Sequence, residues 1–209
     1  MPPKRKRARS LSGDHREEIL RAARTEFAAH GYTGATTVAI AERAGVTQPL
    51  IHHHFGSKAK LWTAMLAELF GALREALDRA NQEGGTERAR IERLVRTVIG
   101  FSAERPELSR LIRLESASAQ APFELLYRVH LAPLIEFFNA TIARAEEQGE
   151  MRRLDHGFLY FALIGAGTQL FAEPATARRG FSIEPADEAT AARYADFIIE
   201  VVLSGMWTT

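Results

Sequence analysis

"TTVAIAERAGVTQPLIHHHFGSK", from Thr36 to Lys58, is the stretch that decides how this chain of 209 residues is read. It divides into two short helical segments around a glycine turn. Thr36 or Thr37 caps the first segment, which runs to Gly45, and Thr47 caps the second, Gln48 to His54. Ala41, Ala44 and Val46 are small or apolar where the two segments must approach closely. Pro49 falls in a first helical turn, where its missing N–H costs little. Two helices joined by a tight glycine turn, the latter only two turns long, form a helix-turn-helix, whose recognition helix lies in a major groove. Thr47 and Gln48 then occupy the end that meets base edges. A glutamine there suits adenine, and a threonine suits a phosphate or a thymine methyl.

The run His52, His53, His54 raises a second reading, a metal or catalytic site. Neighbouring helix residues point about 100° apart, so three in a row do not converge on one ion. No HExxH or HxxxH spacing is present, and no metal or catalytic residue is assigned. The expectation is that His52 and His53 face outward while His54 and Phe55 pack inward.

Working outward, helical periodicity dominates. Ile19, Ala23 and Phe27 recur at four-residue spacing between Asp14, a cap, and Gly31, a stop. Downstream, Ser57 caps a long helix with Leu61, Trp62, Met65, Leu66, Leu69, Leu73 and Leu77 on one face, ending near Asn81–Gly85. Further helices are expected over Glu87–Glu104, Glu107–Ala119, Phe123–Gln148 (with Pro133 kinking its interior), Asp155–Phe171 and Asp187–Leu203. Asp155–Phe171 is apolar almost all round, which predicts burial on more than one side. The stretch 172–188, with Pro174, Gly180 and Pro185, reads as a loop. The fold class is all-α, about nine helices. A basic, disordered arm covers 1–13, a helix-turn-helix domain 14–60, and a helical ligand-binding and dimerisation domain 61–209.

Composition agrees. At 46% hydrophobic and 25% charged, the chain has material for a packed core. It has no cysteine, which excludes thiolate chemistry and disulfides. "FLYFALIGAG" is about half of what a bilayer span needs, and the basic N-terminus lacks a signal peptide's apolar segment. A cytoplasmic protein without a cofactor is expected. The net charge of +1 hides an asymmetry: residues 1–60 hold eleven Lys and Arg against five acids, while the remainder is net acidic. A basic head on an acidic body suits a polyanion partner. For "PPKRKRAR", a solvated arm and an arm tracking phosphates both fit.

With these residues in place, the chain resembles the TetR (tetracycline-repressor-like) family. The resemblance rests on Thr36, Thr37, Ile40, Ala41, Ala44, Gly45, Val46, Thr47, Ile51, His54, Phe55, Ser57, Lys58 and Leu61, with Gly31 and Tyr32 upstream. It is strong over roughly residues 14–62, and beyond that it lies in helix order and length. It implies a homodimeric, non-enzymatic transcription regulator, a repressor, that binds double-stranded DNA at two-fold related half-sites and answers to a small-molecule effector. By position, Thr36 and Thr37 lie near phosphates, Thr47, Gln48, Pro49 and Leu50 face bases, and His52, His53 and Lys58 approach the backbone. Pro49 departs from the small residue often found there, and His52 from the usual tyrosine. The latter predicts operator binding that strengthens as pH falls from about 8 toward 6.

Candidate pocket residues are Trp62, Met65, Leu66, Phe101, Leu111, Leu114, Phe123, Tyr127, His130 and Phe138, with Arg113, Glu115 and His130 as polar groups among them. Their character suggests an apolar or aromatic ligand. For dimerisation, Ala162, Gly165, Ala166 and Gln169 join Phe197, Ile198, Val201 and Val202, two helices per subunit forming a four-helix bundle. An all-α enzyme is the rival reading. It lacks a nucleophile elbow, a phosphate-cradling glycine loop and an HExxH motif.

Overall fold

The computed structural model describes residues 4–118 and 120–208, with side chains from His15 to Thr208. The described residues are helical throughout, apart from turns and one antiparallel bridge between Met151 and Trp207. The elements are α1 (Lys4–Gly34), α2 (Thr37–Ala44), α3 (Gln48–Phe55), α4 (Lys58–Gln82), α5 (Glu87–Glu104) and α6 (Glu107–Ser118). They continue with α7 (Ala121–Leu126), α8 (Ala132–Glu147), α9 (His156–Ala172), α10 (Pro174–Phe181) and α11 (Glu188–Ile198). Two π-turns interrupt the later helices. Tyr127–Leu131 joins α7 to α8, and Ile199–Leu203 follows α11. No helix among the described residues is long and apolar enough to cross a membrane.

Three features differ from the sequence expectation. The first helix starts at Lys4 rather than Asp14, so the backbone of 4–13 is helical where an arm without structure was expected. From Lys4 to Arg9 this stretch consists of five Lys and Arg and one alanine, all good helix formers. The segment 174–181 is α10 rather than loop. Pro174 sits in its first turn, Ser182 caps it with φ 54°, and Arg178 pairs with Glu184 beyond its end. Pro133, which has no N–H to give, is accommodated by the preceding π-turn, in which the Ala132 N–H reaches the Tyr127 carbonyl.

The chain divides into two compact units. One runs to Leu69 and takes in Arg110–Glu124; the other comprises Phe70–Ser109 and the chain from Leu125 on. The first unit is built on Ile19, Phe27, Ile40, Ile51, Leu61, Trp62, Met65 and Leu66, all buried. Phe27 and Tyr32 meet the Trp62 ring edge-on, with centroids 4.9 and 5.5 Å away. Buried Glu26 ties α1 to α2 through Arg43 at 2.7 Å. The second unit packs α5, α8, α9 and α11 around Ile91, Ile99, Ile142, Leu163, Phe171, Ile198 and Leu203. Its charged node is Glu87, which accepts from Arg90 at 2.8 Å and from Arg144. Burial pushes this carboxyl up, but the hydrogen bonds from Arg144 and Arg90 outweigh it and hold it below the usual range.

Candidate nucleic-acid interface

The turn between α2 and α3 forms because Gly45 adopts the left-handed conformation, φ 67° and ψ 27°. Its N–H reaches the Glu42 carbonyl at 3.2 Å and the Val46 N–H reaches Ala41 at 3.0 Å, a Schellman closure. A side chain at 45 would be strained. The turn brings α3 back against α2, so that Ile51 and Phe55 point into the core. The opposite side of α3 is left in solvent. Thr47, Pro49, His52 and His53 are exposed there, and Gln48 and Leu50 are half-buried. Arg16 lies over the buried Phe55 ring at 5.5 Å, which fixes that end of α3 to α1.

The polar side chains of this surface hold one another. The Thr36 hydroxyl caps α2 by accepting the Ala39 N–H at 3.1 Å. Thr37 Oγ1 instead accepts from Gln48 Nε2 at 2.9 Å. Thr47 occupies the N-cap position of α3 without a side-chain cap bond. His52 Nδ1 lies 3.2 Å from the Gly56 carbonyl oxygen. His54 is half-buried against His53 and Phe55, and burial, with His53, His15 and Arg16 nearby, lowers its pKa from histidine's ordinary value. Among the described residues no cluster of three or more metal-ligating groups occurs.

Lys58 differs from its expected place on the phosphate side. Its ammonium sits 4.7 Å from the Tyr32 ring and 3.4 Å from the Thr33 carbonyl, inside the corner between α1 and α4. Burial lowers its pKa, and the nearby Glu115 acts the other way. Lys60 is the exposed lysine of this turn, its Nζ close to Gly56. The spacing "GSKAK" offers both lysines, and only the path of α4 separates their roles.

The pocket candidates fall in both units, six in the first and four in the second. Trp62, Met65, Leu66 and Leu111 are at most 1% exposed and form the core of the first unit. A side chain lining a water-sized cavity would show accessible surface, so these four line none. Leu114 and Tyr127 are exposed, and Phe123 is half-buried. Phe138 packs against the core of the second unit. His130 is buried and stacked on Phe70 at 4.8 Å. Burial lowers its pKa, with a smaller contribution from Arg74. Between α4 and α5 runs an open cleft of ≈ 370 Å³, where Phe101 is joined by Glu75, Arg79, Thr97 and Glu104. Of the ten candidates it holds only Phe101, and it is more polar than expected.

The dimer candidates separate by face. Ala162, Gly165 and Gln169 are exposed on α9 beside Phe158 (79% exposed) and Phe161 (74%), while Phe197 and Val201 are exposed on α11 and its π-turn. Ile198 is buried in its own chain's core, and Val202 and Ala166 pack against that core. Consecutive helical residues point about 100° apart, which sends Phe197 and Ile198 to different sides. α9 is therefore buried by its own chain on one side only. Phe158 and Phe161 were missed by reading only the small-residue stripe; each lies four residues before a member of it, Ala162 and Gly165, and that spacing was the available signal.

A family model described as bacterial regulatory proteins, tetR family, matches residues 19–65, and one described as tetracyclin repressor-like, C-terminal domain, matches residues 86–209. The nucleoid occlusion factor SlmA of Marinomonas sp. is 30% identical over 107 residues, 51% of this chain and 54% of that protein, so the chain spans about half the length of that relative. The HTH-type transcriptional repressor AcnR of Corynebacterium glutamicum is 31% identical over 157 residues, 72% of this chain and 78% of that protein. Among solved structures, the ketosteroid transcriptional regulator KstR2 of Mycobacterium tuberculosis shares the fold, with a TM-score of 0.74 and 19% identity over 93% of this chain and 95% of that one.

Proposed function

The chain belongs to the tetR family of bacterial regulatory proteins, which are DNA-binding transcriptional regulators and not enzymes, and from that premise we propose that it acts as a homodimeric repressor released from its operator by a small ligand. The observation that carries the DNA-binding half is the exposed row on α3, backed by a buried Ile51 and Phe55 that hold it rigid. Thr47, Gln48, Pro49 and Leu50 meet base edges. Thr36, Thr37, His52 and His53 lie along the phosphates, and Lys60 takes the part expected of Lys58. DNA is read in the cytoplasm, which is the compartment of this activity.

The apolar rows on α9 and α11 support the dimer. Phe158, Phe161, Phe197 and Val201 are large apolar side chains left in water by the single chain. A second copy related by a two-fold axis covers them, and two heads then meet half-sites spaced by one helical turn or a multiple. Repression is supported by the likeness to a repressor over 72% of this chain and 78% of that protein. The chain passes between its two compact units inside α4, α6 and α7. A ligand that favours a head spacing unsuited to DNA shifts the population off the operator, and DNA weakens that ligand equally. Phe101 in the α4–α5 cleft supports a ligand with an apolar or aromatic body, and Glu75, Arg79 and Glu104 at its rim give that ligand polar partners.

Incubating purified protein with sheared genomic DNA, followed by capture and sequencing, tests this reading. A two-fold symmetric motif in the enriched fragments is the expected result. Fragments with no shared motif would overturn it.

A further inference from the structure

We infer that Thr37 is a positioning residue for sequence recognition: its hydroxyl sets the orientation of the Gln48 amide so that Gln48 presents an adenine-reading edge. This rests on the proposed placement of Gln48 against bases. Gln48 Nε2 donates to Thr37 Oγ1 at 2.9 Å, across the turn from α3 to α2. A glutamine amide turned by 180° exchanges its donor and acceptor, and nothing intrinsic prefers one orientation. The Thr37 hydroxyl can donate as well as accept, and it decides between them because its own hydrogen goes to the phosphate it meets in the proposed complex, which leaves its oxygen to accept from Nε2.

The remaining hydrogen-bonding groups match one base. Bidentate reading of adenine needs Oε1 to accept from the N6 amino group and one N–H to donate to N7. That N–H lies on the same side of the amide as Oε1. The other N–H, on the far side, is the one left for Thr37. A single amide therefore serves both contacts without competition. Pro49 adds to the effect, because it restricts the backbone of the residue before it. Thr36, one position earlier, has a different task, since its oxygen caps α2. Adjacent threonines thus divide into one that builds the helix and one that aims the reader.

The test uses the full-length protein and a pool of duplexes with a randomised central window, selected by binding and sequenced. Wild type is expected to enrich A·T at one position in each half-site. Thr37→Val keeps the shape and removes the hydroxyl. It is expected to lower the preference at that position about three- to tenfold, the cost of immobilising one rotamer-rich side chain, with other positions unchanged. Thr37→Ala is expected to match Thr37→Val, which separates loss of the hydroxyl from any misfit of valine. Thr37→Ser restores the preference. Gln48→Ala erases it at the same position, and adding Thr37→Val to Gln48→Ala changes nothing more. If Thr37→Val and Thr37→Ala keep the wild-type preference, or weaken all sequences equally, the inference is overturned while base reading by Gln48 stands. If Gln48→Ala leaves the motif intact, base reading by Gln48 falls and the inference falls with it.

Discussion

Titrating operator binding from pH 8 to pH 6 probes what the His52 ring offers a phosphate. The Gly56 carbonyl, 3.2 Å from Nδ1, only accepts. In the tautomer that makes this contact a hydrogen bond, Nδ1 carries the proton of the neutral ring and Nε2 presents a lone pair. Toward a phosphate that lone pair is repulsive. A second proton turns Nε2 into a charged donor, so a phosphate contact at His52 takes up one proton per head. Imidazoles change charge between pH 5 and 8, and binding is expected to strengthen as pH falls through that range. One proton per head corresponds to at most about tenfold in affinity per pH unit, or about a hundredfold for two heads. The total per head is limited by one charge-assisted hydrogen bond, about 1.5–3 kcal/mol.

Fluorescence anisotropy of a labelled operator duplex at constant ionic strength measures this, since phosphate contacts are themselves salt-dependent. His53 is exposed beside His52, so His53→Gln serves as the control. Half-buried His54, with its lowered pKa, stays neutral further into acid and contributes least. His52→Tyr supplies a hydroxyl donor at every pH and is expected to flatten the profile. A His52→Tyr protein with the wild-type slope would refute the argument.

Four further outcomes are expected. Phe158→Glu with Phe161→Glu, both on exposed positions, leaves the fold intact and shifts the protein from dimer to monomer in sedimentation; a wild type already monomeric at micromolar concentration refutes the dimer. Glu87→Ala leaves Arg90 without its carboxylate and costs about 3 kcal/mol in urea unfolding. Because the folded state lowers the Glu87 pKa, its contribution is present above the carboxylate range and disappears as the protein is acidified through it. His130 also has a lowered pKa, so its neutral form favours the fold above about pH 6.5 and that favour is lost below it; His130→Phe is expected to shrink the fall in Tm between neutral and acid buffer. Gly31→Ala, at φ 67° and ψ 175°, is expected to cost about 2 kcal/mol or more in thermal unfolding.

What the sequence made legible was local. The α2–α3 turn is encoded within ten residues by Gly45, Thr36 and the small side chains around them, and the structure leaves Thr47, Pro49, His52 and His53 exposed beside a half-buried Gln48. α10 was hidden because Pro174 and Gly180 read as breakers, although a proline in the first turn is compatible with a helix. Ile198 and Val202 were assigned outward because an apolar run on a late helix has two destinations, and only the packing of α5 and α9 tells which residues it takes. The pocket was the least legible part. Trp62, Met65 and Leu66 satisfy core and pocket equally in a one-dimensional pattern, and the difference is whether space is left beside them.

Glu115 shows the same limit from the other side and explains the Gly31–Tyr32 exit. From sequence it reads as a polar group amid an apolar helix, eligible for a pocket. In the folded chain it is buried, and its Oε1 accepts the Tyr32 N–H at 2.6 Å. That N–H needs a partner because the backbone at Gly31 leaves the helical region, and a buried donor without one is costly. A Cβ at 31 would lie 3.0 Å from the same carboxylate oxygen and 3.4 Å from the Leu114 side chain, so crowding adds to the strain that this φ imposes. Lys58, over the Tyr32 ring, places a positive charge on the carboxylate's side of the corner. Gly31, Tyr32, Lys58 and Glu115 thus form one joint, assembled across 83 residues of separation between Tyr32 and Glu115. The helix-turn-helix is not closed by residues 14–60 alone. Glu115 of α6 supplies the partner that the Tyr32 N–H needs at the exit of α1.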